Sequence, residues 1–278
     1  MDKQETFLSL EQTQKMVLDV MKEFHQYCEK HQLRYCLLCG TLLGAVRHHG
    51  FIPWDDDIDI VMPREDYDRL KETVRKEAVS PWISFIDYQS FPDFHYVISR
   101  VCHNETVVKP PYLLHPVEEM GVWVDIFPLD GYSPWLYWIQ RPLLWVNNML
   151  CNINNYAIPH TGSRMKRLIQ KVVLKCFPDK NNRYEKRIDR ISEWVKYRDS
   201  DRVIMISDLD HPRDEVFLRS DIDQAAPGRF EDAEFYMPQN ADRILRNIYG
   251  NYMELPPEEK RIPHESFARM RQNRGQGE

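Results

Sequence analysis

Residues 54–62 decide the fold of this chain, and they read Trp54-Asp-Asp-Asp-Ile-Asp-Ile-Val-Met62. The alternation of aspartate with apolar residues predicts a β-strand over residues 57–62. Because side chains in a strand point alternately to opposite faces, we expect Asp55, Asp57 and Asp59 to share one face. Two unit charges about 6 Å apart repel by about 3 kcal/mol at an effective dielectric constant of about 20. The segment therefore predicts a bound divalent cation, and all-oxygen ligands favour Mg²⁺, Mn²⁺ or Ca²⁺ over zinc.

Two other interpretations of this acidic segment remain open at the level of the sequence. The spacing of Asp55, Asp57 and Asp59 fits the first three ligands of an EF-hand calcium loop. That loop needs glycine at its sixth position and glutamate at its twelfth, where this chain has Ile60 and Asp66. The other alternative is a solvated acidic turn that binds nothing. The apolar alternation after Asp57 favours a strand over both.

A glycine-containing turn precedes the acidic strand. The chain has only ten glycines, and Gly40, Gly44 and Gly50 fall within eleven residues. It contains neither G-x-G-x-x-G nor Gly-Lys-Ser/Thr, which excludes a Rossmann dinucleotide loop and a Walker-A loop. We predict a buried strand over residues 35–39, a break at Gly40 and a short helix over residues 41–47. A strand, a Gly-Thr turn, a helix and an Asp-x-Asp strand are typical of the nucleotidyltransferase fold.

The remaining pattern predicts an α+β protein. A capping box at Ser9 begins a helix over residues 10–31, and a second helix follows the acidic strand at 65–78. Apolar runs predict strands at 82–88, 95–101, 106–108 and 122–127, and helical periodicity predicts helices at 165–177, 184–195 and 241–249. We expect one domain over residues 1–278, with a mixed sheet flanked by helices. Its parts are a core at 10–131, an aromatic and basic helical insertion at 132–200, and a completing part at 201–278.

Asp125 is the best candidate for a third site carboxylate. It is the one charge in the apolar run Val122–Phe127, and a buried charge requires a metal or ion partner. The alternative is a strand-end residue that caps a turn with Asp130 and Gly131.

Charge and composition limit the partners. The net charge of −6 argues against a nucleic-acid binder, although residues 161–202 hold thirteen lysines and arginines against six acidic residues. The aromatic run at 132–145 and these basic helices predict either contact with an anionic membrane or an ordinary solvated basic face. Six cysteines without a paired framework, and a polar N-terminus, predict reduced thiols and a cytoplasmic protein, with the inner face of the membrane as an alternative site. The window 135–153 is too polar to span a membrane.

Three segments resemble the LicD family of phosphotransferases, to which the fukutin proteins are related. The stretch from Tyr35 to Tyr67, including Cys-Gly-Thr and Trp-Asp-Asp-Asp-Ile-Asp, is similar to the core motif of that family. Val124-Asp-Ile-Phe-Pro-Leu-Asp-Gly131 resembles the second motif, and Tyr249-Gly-Asn-Tyr-Met-Glu-Leu-Pro-Pro257 resembles the C-terminal one. Residues 132–230 match no motif.

The resemblance implies a metal-dependent transfer of a phospho-alcohol from a CDP-linked donor to a sugar hydroxyl. In bacterial members the group is commonly phosphocholine from CDP-choline, and the acceptor is a teichoic acid or lipopolysaccharide glycan that is sometimes lipid-linked. The implied cofactor is Mg²⁺ or Mn²⁺. The residues that the resemblance and the local pattern select are Asp57, Asp59 and Asp125 as catalytic and metal-binding carboxylates, and Gly40, Thr41, Arg47, Arg64 and Asp55 as substrate-binding residues.

Some roles stay open. Asp125 either shares the metal ion or accepts the proton of the acceptor hydroxyl. Arg47 and Arg64, which flank the acidic strand, are either phosphate clamps or ion-pair partners. Transfer of ribitol phosphate or glycerol phosphate, nucleotidyl transfer from a nucleoside triphosphate, and a catalytically silent binding module are the competing functions.

Overall fold

A computed structural model describes residues 7–118, 120–158, 163–206, 216–262 and 267–271. Within these ranges the chain forms eight α-helices and eleven β-strands. The helices are α1 (Leu10–His31), α2 (Cys39–His48), α3 (Arg64–Val74), α4 (Pro134–Asn155), α5 (Arg164–Cys176), α6 (Arg183–Ser192), α7 (Arg219–Asp223) and α8 (Ala241–Tyr249). The strands are β1 (Cys36–Leu37), β2 (Ile58–Pro63), β3 (Ile83–Ile86), β4 (Ser99–His103), β5 (Thr106–Val108), β6 (Trp123–Gly131), β7 (Arg202–Ile204), β8 (Val216–Leu218), β9 (Ala226–Phe230), β10 (Ala233–Met237) and β11 (Ala268–Met270).

The central sheet is mixed, and its strands run in the order β1-β2-β6-β4-β3. Strands β2 and β6 are parallel, whereas β1 with β2, β6 with β4 and β4 with β3 are antiparallel. The C-terminal end of β6 also pairs with β7, which pairs with β8. Two separate antiparallel pairs, β9 with β10 and β5 with β11, complete the strands. This architecture confirms the predicted α+β class with a mixed sheet.

Local sequence signals account well for the N-terminal elements. In α1 the predicted capping box is present, because Ser9 Oγ accepts the Gln12 amide and Gln12 Oε1 accepts the Ser9 amide. Helix α1 then buries Val17, Met21 and Phe24 against the sheet. The predicted helices at 165–177, 184–195 and 241–249 correspond to α5, α6 and α8.

Several predicted strands are shorter or shifted, and side-chain hydrogen bonds explain why. The strand expected at 82–88 ends at Ile86, because the Asp87 carboxylate accepts the amides of Gln89 and Ser90 and forms a turn. The strand expected at 95–101 begins only at Ser99, since His95 turns its ring toward Glu185 of α6. The acidic strand begins at Ile58, so Asp55 to Asp57 lie on the approach to β2.

The helical insertion contains one long element that the sequence pattern did not predict. Helix α4 spans 22 residues despite Pro142 in its interior. It packs against α6, where Leu144 joins Ile188 in a small core with Ile204 and Ile206. None of the described helices combines the length and hydrophobicity needed to cross a membrane. The division into a core, an insertion and a completing part of one domain stays a prediction.

Candidate functional site

Three charged side chains form a row across the central sheet. Asp59 on β2 is in register with Asp125 on the parallel strand β6. Asp125 is in register with Arg100 on the antiparallel strand β4. Register partners on adjacent strands project from the same face of a sheet. The sheet itself therefore places two carboxylates and one guanidinium side by side.

Asp57 and Asp59 lie in an environment that disfavours their negative charges. Burial raises the pKa of Asp57 well above its usual range, and the charges of Asp59, Asp55 and Asp125 raise it further. Burial likewise raises the pKa of Asp59, as do the charges of Asp125 and Asp55, while Arg100 opposes the shift. Both residues remain partly exposed. Among the described residues, the positive charge near these carboxylates thus does not offset their burial and mutual repulsion.

Asp125 has two specific donors. Its Oδ1 accepts the Nε–H of Arg100 at 2.7 Å, and its Oδ2 accepts the indole N–H of Trp123 at 2.7 Å. Arg100 is buried beneath aromatic rings, with its guanidinium carbon 4.2 Å from the centroid of Trp123 and 4.9 Å from that of Tyr96. The sequence predicted a metal or ion partner for Asp125, and the structure supplies Arg100. The alternative of a turn cap with Asp130 is wrong, because Asp130 pairs elsewhere.

Gly40 and Thr41 lie in the first turn of α2, against the acidic segment, so the predicted break at Gly40 is wrong and the helix begins one residue before it, at Cys39. A β-carbon at Gly40 would lie 3.0 Å from Asp55 Oδ2, so glycine permits the carboxylate of Asp55 to approach the start of α2. The Thr41 hydroxyl accepts the backbone amide of Asp59 at 2.8 Å. The Leu38 amide donates to the Asp59 carbonyl at 3.2 Å. The turn and the Asp-x-Asp strand are therefore one hydrogen-bonded unit, and the structure brings Gly40, Thr41 and Asp55 to the carboxylates.

The structure places Arg64 away from these carboxylates. Arg64 follows the last residue of β2, five residues beyond Asp59, which corresponds to about 16 Å along a strand. It is buried, and its guanidinium donates to both carboxylate oxygens of Asp130 and to Asp189 Oδ1 at 2.7–2.8 Å. Of the two roles left open for Arg64, the structure shows the ion-pair partner. The role of Arg64 as a substrate-binding residue stays a prediction, although each of its three guanidinium nitrogens already donates to a protein acceptor.

Arg47 lies at the far end of α2 from Gly40. Its Nη1 donates to the Tyr252 carbonyl at 2.7 Å, and its Nε contacts His48 at 2.9 Å. The His48 ring meets Trp54 edge-on at 6.4 Å, and the Arg261 guanidinium lies 5.8 Å from the Trp54 centroid. Two basic side chains, His48 and Arg261, thus lie beside the ring of Trp54, which precedes Asp55 in the sequence. The proposed substrate role of Arg47 stays a prediction.

A cavity of about 170 Å³ opens beside the aspartates. Asp56 and Asp57 form its acidic wall, and the rings of Tyr112, Trp123 and Phe267 form much of the rest. Tyr112 and Phe267 meet edge-on with centroids 6.1 Å apart. An aromatic pocket with carboxylates at one side suits a ligand that carries positive charge on an apolar group.

The oxygen ligands that Asp57 and Asp59 offer fit Mg²⁺ or Mn²⁺. Asp57 and Asp59 offer only carboxylate oxygens, and hard divalent cations prefer such ligands. A bound cation would relieve the repulsion that raises both of their pKa values. Because Asp125 already accepts from Arg100 and Trp123, its two oxygens keep fewer lone pairs for a metal than those of Asp57 and Asp59.

Sequence reasoning missed Arg100 and Arg261. Arg100 could have been found by the argument that selected Asp125, since it is a single charge within the run from Val97 to Cys102. Arg261 carries no such signal, because it directly follows the charged run Glu258–Lys260 and its contact with Trp54 joins residues more than 200 positions apart.

The sequence of this chain is similar to a known protein family and to individual known proteins. Residues 32–142 match the family described as LicD/FKTN/FKRP, nucleotidyltransferase domain, and this range includes Asp57, Asp59 and Asp125. The chain is 26% identical over 263 residues to the lipopolysaccharide cholinephosphotransferase LicD of Haemophilus influenzae, which covers 92% of this chain and 96% of that protein. An uncharacterised protein of Rickettsia prowazekii is 47% identical over 114 residues, which covers 41% of this chain and 38% of that protein. The similarity to the first relative thus extends through the helical insertion as well as the core.

Proposed function

We propose that this chain, which matches the LicD family over residues 32–142 and is similar to a LicD transferase over most of its length, is a metal-dependent transferase that moves phosphocholine from CDP-choline to a sugar hydroxyl of a cell-surface glycan precursor. One observation carries the proposal. Asp57 and Asp59 are under-compensated aspartates, and Asp57 lines an aromatic cavity together with Asp56. The under-compensated aspartates suit a divalent cation that binds a pyrophosphate. The aromatic cavity with its acidic residues suits a trimethylammonium group.

The residues of the chain have distinct parts in this reaction. Asp57 and Asp59 would hold Mg²⁺ or Mn²⁺, which would supply positive charge to the donor pyrophosphate. Gly40 and the start of α2 leave room for a phosphate near a helix N-terminus. The acceptor hydroxyl attacks the distal phosphorus in line and releases its proton to solvent, the bond between that phosphorus and the CMP oxygen breaks, and CMP leaves. The two hydrogen bonds that Asp125 accepts favour a role as an oriented carboxylate beside Asp59 over a role as the base.

The pocket favours choline over ribitol or glycerol as the transferred alcohol. Polyols need hydrogen-bonding walls, since each buried hydroxyl without a partner costs about 1–3 kcal/mol. Apart from the Thr13 hydroxyl and the two carboxylates, the walls are apolar and include the rings of Tyr112, Trp123 and Phe267, while Asp56 and Asp57 supply negative charge. A quaternary ammonium group gains from both.

The decisive assay offers CDP-choline, CDP-ribitol, CDP-glycerol and nucleoside triphosphates in turn, with Mg²⁺ or Mn²⁺, and measures CMP and pyrophosphate. We expect CMP from CDP-choline, and a loss of about 10²–10³-fold in Asp57→Asn and Asp59→Asn, because metal catalysis is worth several kcal/mol. Asp93→Asn, at an exposed loop position, is the control that keeps the wild-type rate. Pyrophosphate release from triphosphates would instead establish nucleotidyl transfer, and full activity in either site variant would refute the assignment.

The choice of donor has its own test. Tyr112→Leu should raise KM for CDP-choline by about 5- to 30-fold, since a cation–π contact is worth about 1–2 kcal/mol when desolvated. Tyr112→Phe keeps the ring and should keep KM. Equal effects on CDP-choline and CDP-ribitol would show that the ring does not recognise the ammonium group.

We propose in addition that the protein contacts an anionic membrane, and an exposed apolar surface supports this. We call the exposed side chains of α4 and α5 the α4–α5 face. On α4, Trp135 and Trp138 are 87% and 71% exposed. On α5, Met165, Leu168 and Val172 are all more than half exposed, and this helix has no buried residue. A solvated amphipathic subdomain, the other interpretation of this segment, does not explain apolar stripes that face outward.

Charge complementarity supports an anionic lipid surface as the occupant of the α4–α5 face. Helix α5 has five lysines and arginines and no acidic residue. Helices with an apolar stripe, basic flanks and nearby tryptophans lie in the headgroup region of bilayers, and each basic residue near an anionic surface contributes about 1 kcal/mol. A lipid-linked acceptor would be reached from such a position.

Vesicle flotation tests this contact. The protein should float with vesicles that contain phosphatidylglycerol, less with pure phosphatidylcholine, and less at high salt. Leu168→Ser combined with Val172→Ser should abolish flotation, whereas Ile262→Ser, which removes an equally exposed apolar side chain elsewhere, should not. Failure of the wild type to float, or a dimer in solution that the double variant disrupts, would refute membrane contact and assign the face to a second copy of the chain.

A further inference from the structure

A second cluster of metal-ligating side chains lies between the core and the helical insertion. It consists of His95, Asp179 and Glu185, whose ligand atoms all lie within 4.8 Å of one another. His95 comes from the segment between β3 and β4, Asp179 from the connection between α5 and α6, and Glu185 from α6. All three side chains are at least nine-tenths buried. Neither the LicD resemblance nor the proposed reaction uses them.

The distances within this cluster are those of a coordination shell. His95 Nδ1 lies 3.0 Å from Glu185 Oε1 and 3.3 Å from Asp179 Oδ2. Ligands about 2.1 Å from a tetrahedral metal ion lie about 3.4 Å apart. One imidazole nitrogen and two carboxylate oxygens are ligands that Zn²⁺ accepts, and the imidazole disfavours Mg²⁺ or Ca²⁺.

Two buried carboxylate oxygens of the cluster indicate that it binds a further, positively charged group. Within the described residues, Asp179 Oδ2 and Glu185 Oε2 are buried and have no hydrogen-bond donor. Buried carboxylate oxygens in this condition are rare, because each costs a substantial desolvation free energy. We propose that His95, Asp179 and Glu185 bind a zinc-class divalent metal ion that ties the helical insertion to the core.

The surroundings hold the three ligands in place. The Arg183 amide donates to Asp179 Oδ1 at 2.9 Å. The Cys151 thiol of α4 lies 3.1 Å from Glu185 Oε1 and 3.3 Å from the His95 carbonyl. Cys151 thus supports the ligands from outside the shell, and such outer contacts typically change metal affinity by about 10- to 100-fold.

The competing interpretation is a metal-free cluster in which protonated His95 itself supplies the positive charge. Burial lowers the pKa of His95, but the carboxylates of Asp179 and Glu185 beside its ring outweigh that effect and raise the pKa to about 9. One imidazolium balances only one of the two carboxylates, so the metal-free cluster must either hold a second proton, as the raised pKa of buried Glu185 allows, or keep a net negative charge. A divalent cation removes that excess.

Metal content of the purified protein decides between the two. The full chain is prepared without a polyhistidine tag, dialysed against a weak chelator and analysed for all transition metals. We expect about one zinc-class ion per chain in the wild type, and none in His95→Gln or Asp179→Asn, because each loses one of three ligands. His115→Gln, with an exposed ring 6.2 Å from that of His95, and Cys176→Ser, at an exposed thiol, should keep the full content. Asp57→Asn should keep it as well, which separates this site from the catalytic one.

Stability supplies a readout that works even where a variant folds poorly. A strong chelator should lower the Tm of the wild type, and added Zn²⁺ should restore it, since a ligand that binds only the folded state stabilises that state. Cys151→Ser should bind zinc about 10- to 100-fold more weakly but still at one ion per chain. A wild-type protein that holds no metal, gains none from Zn²⁺ and melts at the same temperature with chelator would overturn the proposal. Unchanged metal content in both His95→Gln and Asp179→Asn would overturn it too.

Discussion

Asp59 and Asp125 are in register on the adjacent parallel strands β2 and β6, so two carboxylates share one face of the sheet at neighbouring positions. Their chemical surroundings differ. Asp125 accepts hydrogen bonds from Arg100 and Trp123, while Asp59 gains from Arg100 only a longer-range attraction. The pair therefore consists of one compensated and one uncompensated carboxylate, and this asymmetry determines how the site responds to metal, pH and mutation.

The metal-free protein should become less stable as the pH rises toward neutrality. Because the pKa values of Asp57 and Asp59 are raised in the folded state, the folded protein binds more protons than the unfolded chain between the ordinary aspartate value of about 3.9 and the raised values. Stability then falls with pH across that window. Urea unfolding midpoints, measured in EDTA from pH 5 to 8, check this.

Two comparisons isolate the contribution of these aspartates from that of other carboxylates. Excess Mg²⁺ should flatten the pH dependence, since a bound cation stabilises the ionised forms. The variant Asp57→Asn/Asp59→Asn should show a shallower slope in EDTA and a higher midpoint at neutral pH. A slope in this variant equal to that of the wild type would show that other groups cause it.

Arg100→Met should destabilise the protein by about 3–5 kcal/mol, because it leaves the buried carboxylate of Asp125 without its cation. The double variant Arg100→Met/Asp125→Asn removes both charges and should recover much of that stability without recovering transfer activity. Chemical denaturation and CMP release measure the two effects separately. If the double variant were as unstable as Arg100→Met alone, the loss would come from packing against Trp123 and Tyr96 and not from the ion pair.

Local sequence patterns predicted the elements and residues that depend on neighbours close along the chain. Period-two alternation located β2, the capping box located α1, and a single charge in an apolar run located Asp125. The pairings of Arg64 with Asp130 and Asp189 join positions 66 and 125 residues apart, and no local pattern encodes them. The same limit hid the cluster of His95, Asp179 and Glu185. The roles of Asp57, Asp59, Gly40 and Thr41 in the reaction stay predictions, whereas their proximity is now established.

Arg64→Met should mainly lower the stability of the protein, whereas Arg47→Met should mainly raise KM for the donor. Arg64 is buried between Asp130 and Asp189, so its loss should cost about 3–5 kcal/mol of stability and leave KM for the donor unchanged in the folded fraction. Arg47 donates to one backbone carbonyl near Trp54, so its loss should cost less stability and raise KM if it contacts phosphate. A raised KM with wild-type stability in Arg64→Met would support its role as a phosphate clamp.

Gly40→Ala and Gly44→Ala separate the chemical from the structural use of glycine in α2. A β-carbon at Gly44 would lie 2.4 Å from the backbone carbonyl oxygen of Gly50, which cannot move alone, so Gly44→Ala should cost about 1–3 kcal/mol of stability. At Gly40 the nearest atom is Asp55 Oδ2, 3.0 Å away on a side chain that can rotate, and alanine favours a helix by about 0.5–1 kcal/mol. Gly40→Ala should therefore keep its thermal stability and lose CMP release, because the added methyl group displaces Asp55 and fills the approach to phosphate. Wild-type turnover in Gly40→Ala would show that the donor phosphate does not approach this turn, and each variant serves as the control for the other.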